Sequence, residues 1–584
     1  MARVIWDGEK IVVSVSKANA GKVLDLAEKF GGEYLQASMM FTFNRTMETV
    51  EAVGSLPNVV LDQSFRPLYD KVMEIKKKRE AEASSLPLPE CFYPFQREAV
   101  STMLKMQRNI MLASDPGCGK TAMSIMYLKL HPDSYPALVI TPASLKTTWR
   151  MEFLKWNPDV KVTVLEGKSS YNDREVMASI RNSDVVIANY DILGVDDKEA
   201  MRREKERIAK AKEMGWKYRK SFIPVKGWAE VIPSMGFRSV VCDECQYIES
   251  SKAVRTRAVI QICADTRIKK LFLSGTPFET KVRQFWNACH ILAPDLFPKE
   301  WDFLYRYCDP KQNYFGWTFD GVSNLEELRT KLSNFMIRHK KEDVLTQLPK
   351  KVKVPVYFEM DKKYRAKYDE MEDTLAMDKG LHQFTKLAEM RKALAEVKSG
   401  VVVQYIKDLL EVEDKIVVFA QHTMMWDLIM REFKGMAVGI SGDVKSEDRQ
   451  KAVDKFQNDP SIRIFVGQIQ AASTGLTLTA ARTLVFTEWG QTAAQMEQAS
   501  DRIHRIGQNA DRVTIYYLVV RDTIDETPLA SLSSHYADIQ AVMNGEENAS
   551  MVDINNMMLA KVKERVLMRK KKGVQIRYHD FGEK

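Results

Sequence analysis

The stretch Met111-Leu-Ala-Ser-Asp-Pro-Gly-Cys-Gly-Lys-Thr-Ala122 decides the fold of this chain. An apolar run precedes the glycines and a helical pattern follows them, so the chain turns tightly between a strand and a helix. Such a turn points backbone N–H groups at an anion, and the helix N-terminus adds its positive end. Lys120 then reaches the β- and γ-phosphates, and Thr121 holds magnesium. The stretch predicts a phosphate-binding loop with six ligands, which are Asp115, Gly117, Cys118, Gly119, Lys120 and Thr121.

A second stretch, Ser239-Val-Val-Cys-Asp-Glu-Cys-Gln246, ends a buried-strand run in two carboxylates. Asp243 at the strand end is expected to bind magnesium through water, and Glu244 to polarise an attacking water. Ser114 stands where the generic phosphate loop has glycine, so an empty glycine turn is the alternative at the first stretch. The acidic pair favours the phosphate loop over that alternative.

A third stretch, Gln498-Ala-Ser-Asp-Arg-Ile-His-Arg-Ile-Gly-Gln508, carries two arginines. Arg502 and Arg505 are three positions apart, so on a helix they share a face. A pair of arginine fingers that meets a transferring phosphoryl group from another domain needs this arrangement. The alternative, a basic surface helix, does not explain why the flanking glutamines and glycine occur with the arginines.

Short β-branched runs alternate with helical stretches on both sides of these three elements. This alternation predicts parallel sheets covered by helices, and two series of runs predict two such domains. The first series comprises 109–113, 137–141, 184–188, 239–242 and 270–273. The second comprises 415–420, 463–466, 483–487 and 514–519.

The N-terminal residues show a different pattern of predicted strands and helices. Residues 1–66 predict a small α/β domain, with a hairpin around Asp7–Gly8 and a helix that stops at Gly31–Gly32. Residues 67–90 predict a charged linker, with a solvated helix over Lys71–Ala83 and a turn-rich end.

Composition sets wide limits on function. The chain has 584 residues and a net charge of +9, which permits a polyanionic partner without requiring one. Seven scattered cysteines, no signal peptide and no membrane span predict an intracellular, reducing compartment. Cys242 and Cys245 form a CxxC, but a zinc site needs about four ligands and no second pair is visible. Cys242 is better explained as a small core residue of the acidic strand.

The ordered motifs resemble the Swi/Snf-type branch of the superfamily-two helicases. Besides the three stretches above, the resemblance rests on these segments: Tyr93-Pro-Phe-Gln96, Val139–Lys146 with Trp149, Leu273-Ser-Gly-Thr-Pro277, Phe335–Lys340 and Ala471–Ala481. His339 and Gln246 depart from the family's usual arginine and histidine, whereas the branch commonly lacks glycine at the position of Ser114. Three short segments are similar in sequence to the annealing-helicase (HARP) subgroup, namely Asn324–Leu328, Val418–His422 and Phe486–Trp489.

The resemblance implies an α/β fold with two RecA-like parallel-sheet domains, residues 91–350 and 351–545. It implies ATP and Mg²⁺ as cofactors, with Gln96 reading adenine, and DNA as the partner. The implied DNA-backbone contacts are Thr141, Lys146, Gly475 and Thr477. The implied coupling residues are Ser274, Gly275, Thr276 and Gln498. Residues 12–62 resemble a diverged HARP-type module, with an unrelated small cap as the alternative.

Two basic segments lie outside these motifs. The insertion 194–235 is rich in arginine and lysine, and a solvated helical hairpin is favoured over a nucleic-acid contact. The tail 546–584 is predicted to be basic and helical, and its stretch Lys561–Lys572 ends in a cluster at Arg569–Lys572 that is also compatible with a nuclear signal. The few accessory parts favour the cytoplasm or nucleoid of a bacterium or a virus-infected cell over a nucleus.

The sequence therefore predicts a DNA-dependent ATPase that translocates on duplex DNA and reanneals or remodels branched DNA, with sequence-independent contacts. A strand-separating DNA or RNA helicase and the motor subunit of a restriction or defence complex are the alternatives. A nucleic-acid-binding regulator with an inactive ATPase is a further one. The presence of Lys120, Asp243, Glu244 and both arginines argues against it.

Overall fold

The computed structural model divides the chain into two compact units, Met1–Lys105 and Met106–Lys584. It describes residues 2–15, 20–30, 32–35, 40–131, 133–214, 222–275, 281–313, 316–345, 347–378, 382–442, 444, 446–472, 476–528, 558, 561–562 and 564–566. The predicted basic tail therefore lies almost wholly outside the described residues, as do Thr276 and Gly475 among the predicted site residues.

The first unit is a five-stranded sheet with helices. Its strands are β1 (Ala2–Trp6), β2 (Lys10–Val15), β3 (Glu33–Leu35), β4 (Met40–Asn44) and β5 (Val59–Leu61), in the order β3-β4-β2-β1-β5. Its helices are α1 (Ala20–Phe30), α2 (Met47–Gly54), α3 (Arg66–Ser84) and α4 (Pro94–Lys105). β1 and β2 pair antiparallel with Ile5 opposite Val12, which confirms the predicted hairpin. Phe41 and Phe43 are buried in this unit's core, and the HARP-type assignment stays a prediction.

Within the second unit, residues 106–345 form what we call the first lobe. Its strands are β6 (Ile110–Leu112), β7 (Ala137–Thr141), β8 (Val162–Val164), β9 (Val185–Asn189), β10 (Val195–Asp196), β11 (Val225–Lys226), β12 (Ser239–Asp243), β13 (Lys269–Leu273), β14 (Lys311–Asn313), β15 (Gly316–Thr318) and β16 (Met336–Ile337). Seven of them make one parallel sheet in the order β16-β6-β13-β12-β7-β9-β8. β10–β11 and β14–β15 are separate antiparallel pairs.

The helices described in the first lobe lie between these strands. They are α5 (Lys120–Leu130), α6 (Lys146–Trp156), α7 (Arg174–Arg181), α8 (Lys198–Glu213), α9 (Trp228–Val231), α10 (Val254–Ile262), α11 (Trp286–Leu292), α12 (Glu300–Tyr307), α13 (Leu325–Leu332) and α14 (Lys341–Val344). The central strands β7, β9 and β12 are buried at every position, as strands covered on both faces must be. α8 is the helix of the predicted basic insertion, and nearly all of its charged side chains are exposed.

Residues 350–528 form the second lobe. Its strands are β17 (Lys350–Phe358), β18 (Ile416–Ala420), β19 (Ala437–Ile440), β20 (Ile464–Gln468), β21 (Thr483–Phe486) and β22 (Arg512–Val520). All pair in parallel, in the order β17-β22-β21-β18-β20-β19. Its helices are α15 (Lys362–Met377), α16 (His382–Val412), α17 (Thr423–Glu432), α18 (Ser446–Asn458), α19 (Ile469–Ala472) and α20 (Ala493–Ser500). The predicted fold class, two parallel-sheet domains plus a small N-terminal α/β unit, is confirmed.

Two further findings concern membrane spans and cysteines. Among the described residues, no helix combines the length and the apolar character that a membrane span requires. All seven cysteines are free, and Cys242 lies buried on β12 as the sequence predicts.

Candidate active site

The predicted phosphate loop lies between β6 and α5, at the carboxyl edge of the first sheet. Gly117 and Gly119 have φ angles of +85° and +83°, a left-handed conformation that a glycine adopts without a Cβ penalty. Gly119 is the residue that precedes α5, so the free N–H groups of that helix open onto the loop. Cys118 is buried, and burial raises the pKa of its thiol to about 12. The loop therefore has the shape and polarity that an anion requires.

Lys120, the first residue of α5, folds back over this loop. Its Nζ donates to the carbonyl oxygen of Ser114 at 2.9 Å and to that of Asp115 at 3.4 Å. Thr121 follows it in the first helical turn and is half-buried. The ammonium group thus lies across the loop, where phosphate oxygens would be within its reach.

Ser114, which departs from the generic phosphate-loop pattern, contacts His339, which departs from the family pattern. Ser114 Oγ lies 3.0 Å from His339 Nδ1, and Asp115 N donates to the carbonyl oxygen of His339 at 3.0 Å. Burial lowers the pKa of His339 to about 4, against the smaller opposing effect of Asp115. The histidine is therefore neutral near pH 7. No local pattern in the sequence indicates that these two positions, 225 apart, are partners.

Asp243 lies at the carboxyl end of β12, as predicted, and its Oδ2 already has two donors. Trp149 Nε1 donates at 2.7 Å, and Thr141 Oγ1 donates at 3.3 Å. Burial and the neighbouring Glu244 raise the pKa of Asp243 to about 6, opposed by the Trp149 hydrogen bond. Oδ1 accepts the Glu244 N–H at 3.0 Å. The sequence indicates Trp149 only as a residue that follows a motif, and no local pattern predicts its hydrogen bond to Asp243.

Glu244 begins a short chain of hydrogen bonds that leads to the predicted coupling motif. Its backbone is left-handed, with φ of +51°, and its Oε2 accepts from Gln246 Nε2 at 2.8 Å. Gln246 Oε1 in turn accepts from Ser274 Oγ at 2.8 Å. A Cβ on Gly275 would lie 2.7 Å from the ring of Pro116, so the coupling motif packs directly against the phosphate loop. Thr276 lies outside the described residues.

The arginine pair does not lie on a helix, which corrects the sequence expectation. α20 ends at Ser500, and the backbone then continues in tight turns, with Arg502 N bonded to the carbonyl oxygen of Ala499 at 3.1 Å. Arg502 Nε donates to the carbonyl oxygen of Gln498 at 3.0 Å, and Arg505 Nη1 to that of Leu476 at 2.9 Å. After α20 ends, the hydrogen bond from Arg505 to Leu476 helps to hold this segment in place of a continued helical hydrogen-bond pattern.

The two lobes nevertheless bring the arginines to the phosphate loop. A Cβ on Gly117 would lie 3.1 Å from the Cβ of Arg505. Burial and the neighbouring Arg505 lower the pKa of Arg502 to about 10, and the carboxylate of Glu244 opposes them. The loop, the acidic pair and the arginines, predicted from three distant stretches, therefore meet at one place between the lobes.

The implied DNA contacts lie in different environments. Thr141 is fully buried against Asp243. Lys146 is also buried, and its Nζ donates to the carbonyl oxygen of Leu165 at 3.0 Å and to Glu166 Oε1 at 2.7 Å. Thr477 is half-buried, and Gly475 lies outside the described residues.

Two predicted glutamines are both buried. Gln96 lies on α4 in the unit Met1–Lys105, where its Oε1 accepts from Tyr93 N at 3.0 Å. Gln498 lies on α20 and supplies the carbonyl oxygen that Arg502 bonds.

Comparison with known families finds two matches along the chain. Residues 95–405 match the family described as the SNF2-related domain. Residues 401–507 match the helicase conserved C-terminal domain. Together they include the first two stretches that form the site and, in the third, every residue up to Gly507.

Curated relatives match over most of this chain. The human DNA annealing helicase and endonuclease ZRANB3 is 30% identical over 475 residues, which cover 78% of this chain and 40% of that protein. The Xenopus tropicalis SWI/SNF-related matrix-associated actin-dependent regulator of chromatin subfamily A-like protein 1 is 30% identical over 523 residues, covering 84% and 49%. The chain spans about half or less of the length of these relatives. Among solved structures, a Sulfolobus solfataricus SWI2/SNF2 ATPase core in complex with dsDNA matches 79% of this chain and 94% of that chain, at 22% identity and a TM-score of 0.35.

Proposed function

Because the chain belongs to the SNF2 family, we propose that it is a DNA-dependent ATPase that translocates on duplex DNA. The observation that carries the proposal is the meeting of the phosphate loop, the acidic pair and the two arginines between the lobes. A site divided in this way is complete only when the lobes approach, which ties hydrolysis to domain motion.

In this proposal each side chain has one task. Lys120 leaves the carbonyl oxygens of its own loop and binds the β- and γ-phosphates of ATP. Thr121 and Asp243 would hold Mg²⁺, and the bound ion would neutralise charge that develops on the phosphates. Glu244 orients the attacking water, and Arg502 and Arg505 stabilise the transferring group from the second lobe.

The path from hydrolysis to movement begins at Glu244. Gln246 joins this carboxylate to Ser274, and Gly275 contacts Pro116, so a shift of the loop or of Glu244 displaces the coupling motif. We propose Ser274, Gly275 and Thr276 as the coupling element and Gln498 as the residue that orients Arg502. Gln96 is our proposed adenine-reading residue.

For DNA we propose sequence-independent backbone contacts by Lys146, Gly475 and Thr477, on duplex or branched DNA, with reannealing or remodelling of branched DNA as an outcome. Lys146 would have to exchange its present partner Glu166, whose side chain is largely exposed, for a phosphate. Thr141 does not belong to this set of DNA contacts, because its side chain is 0% exposed and donates to Asp243. The cysteines suit a reducing compartment, and a bacterial or viral setting stays a prediction.

The test of the proposal is ATP hydrolysis by Lys120→Ala with and without duplex DNA. We expect turnover to be abolished, because the variant lacks the ammonium group that would bind the β- and γ-phosphates of ATP. Lys129→Ala is the matched control, since Lys129 is exposed at the other end of the same helix. Undiminished turnover in Lys120→Ala would refute the phosphate-loop assignment.

A second measurement separates the proposal from the alternative of a strand-separating helicase. The protein is given duplex, single-stranded and forked DNA and RNA, and ATP turnover is compared. Displacement of a triplex strand is then measured beside displacement of a duplex strand. Triplex displacement without duplex separation supports a translocase, and the converse result supports the alternative.

A further inference from the structure

We propose that Lys341 is a positioning residue that holds the arginine-bearing turn, Asp501–Arg505, against the phosphate loop. The inference rests on the proposed function, because it assigns a role within the same ATP site. It adds a residue that belongs to neither the loop nor the arginine pair.

Lys341 bonds to both lobes with different parts of the residue. Its backbone N–H donates to Asp115 Oδ2 of the phosphate loop at 2.9 Å. Its side-chain Nζ lies 2.6 Å from Asp501 Oδ1 and donates to the carbonyl oxygen of His504 at 2.9 Å. One residue therefore joins the loop of the first lobe to the turn of the second.

The two acceptors on the second lobe belong to residues next to the arginines, so they help to fix the positions of the arginine backbones. Asp501 immediately precedes Arg502, and His504 immediately precedes Arg505. An ammonium group that fixes both of these positions also fixes the start of each arginine side chain. Lys341 Cε and Nζ lie 3.4 and 3.5 Å from a Cβ placed on Gly117, so the ammonium lies in the same crevice as Arg505.

The contact is buried and charged. The Lys341 and Asp501 side chains are 10% and 5% exposed. Burial alone would raise the pKa of Asp501, but the ammonium groups of Lys341 and Lys351 hold it well below its ordinary value. Asp501 is therefore ionised near pH 7, and the bond to Lys341 is an ion pair in a poorly solvated place.

Lys351 shows by contrast what a purely structural lysine does at the same carboxylate. It lies on β17 of the second lobe, and its partners Glu497, Ser500 and Asp501 all belong to that lobe. Lys351 thus stabilises the turn within its own lobe, whatever the loop does. Lys341, in contrast, connects the turn to a residue that nucleotide binding would move.

The consequence is a mechanical link between nucleotide and arginines. If bound phosphates shift Asp115, the shift passes through the backbone of Lys341 to its side chain and then to the arginine-bearing turn. Without the side chain, ATP still binds the loop, but the arginines are no longer held at a fixed distance from it.

The first experiment measures kcat and KM for ATP in Lys341→Met, with saturating duplex DNA. We expect kcat to fall roughly ten- to a hundredfold with little change in KM, because misplacement by about 1 Å costs on this order. Lys341→Arg keeps charge and donors and should recover part of the loss. Lys353→Met is the matched control, since Lys353 pairs with Glu497 at 3.0 Å within the second lobe. Equal kcat in Lys341→Met and Lys353→Met would overturn the inference and leave the proposed function intact.

The second experiment does not depend on turnover. Hydrogen–deuterium exchange of residues 114–121 and 498–508 is compared with and without a non-hydrolysable ATP analogue. In the wild-type protein we expect protection of both segments, and in Lys341→Met protection of the loop alone. Protection of both segments in the variant would overturn the link. Protection of neither segment in the wild type would overturn the nucleotide site itself, and the inference with it.

Discussion

Replacing Trp149 with phenylalanine tests how Asp243 is held. The substitution keeps an aromatic ring in the fully buried site but removes the indole N–H that donates to Asp243 Oδ2 at 2.7 Å. The other described donor to that oxygen, Thr141, is at 3.3 Å, which is long for a hydroxyl. The hydroxyl is therefore a weak substitute for the indole.

The magnitude follows from the charge of the acceptor. A hydrogen bond to an ionised group contributes about 1.5–3 kcal/mol. If Asp243 must hold its orientation in the transition state, the full amount appears in the barrier, and each ~1.4 kcal/mol is tenfold in rate. We therefore expect ATP turnover of Trp149→Phe to fall roughly ten- to a hundredfold. Because the bond favours the charged carboxylate, its removal also raises the pKa of Asp243 further above its ordinary range.

The assay is steady-state ATP hydrolysis with duplex DNA at saturating Mg²⁺, beside Trp228→Phe. Trp228 is equally buried in the first lobe, but its Nε1 donates to the carbonyl oxygen of Gly167 at 3.1 Å, away from the acidic pair. Both variants exchange a buried indole for a phenyl ring and lose its hydrogen bond, so Trp228→Phe controls for the loss of an indole that does not contact the acidic pair. If Trp149→Phe hydrolyses ATP as fast as Trp228→Phe, Trp149 does not orient the catalytic carboxylate.

Three further predictions concern other parts of the molecule. The pKa of His339 is about 4 in the folded protein against an ordinary 6.5, so its contribution to stability is complete above pH 6.5 and declines toward pH 4. Urea unfolding should show the wild type losing up to about 3 kcal/mol more than His339→Gln over that interval. Arg505→Ala should bind ATP, measured by fluorescence titration, yet lose turnover by roughly a thousandfold; weakened binding with normal turnover would contradict its role. Replacing the exposed α8 lysines Lys205, Lys210 and Lys212 with alanine should leave the slope of log Kd for DNA against log salt unchanged, because a solvated helix is favoured here. A slope lowered by about 0.9 for each DNA phosphate that these lysines neutralise would mean instead that α8 contacts DNA.

The sequence predicted the parts of the fold that depend on local pattern. β12 ends at Asp243 because a buried β-branched run stops at two carboxylates, and the loop glycines have the left-handed backbone that the turn requires. These features are encoded within about ten residues, so periodicity and turn chemistry are sufficient to find them.

The features that sequence reasoning missed depend on interactions between distant segments. Thr141 ends β7, and nothing local shows whether its hydroxyl faces DNA or the neighbouring Asp243 strand. Arg502 and Arg505 have helical spacing, but hydrogen bonds to the Leu476 segment hold them in turns after α20. The bond between Lys341 and Asp501 joins residues of different lobes, and no spacing rule relates them.

The pairing of Ser114 with His339 has a consequence for how this protein can vary. Taken alone, Ser114 departs from the generic phosphate loop and His339 departs from the family pattern. In the structure the Ser114 hydroxyl and the His339 imidazole lie 3.0 Å apart, within hydrogen-bond distance. Replacing only Ser114 with glycine would remove the hydroxyl beside Nδ1, and replacing only His339 with arginine would put a permanent charge where a neutral imidazole lies. We expect the double replacement to cost less free energy of unfolding than the sum of the single ones, because residues in contact are coupled.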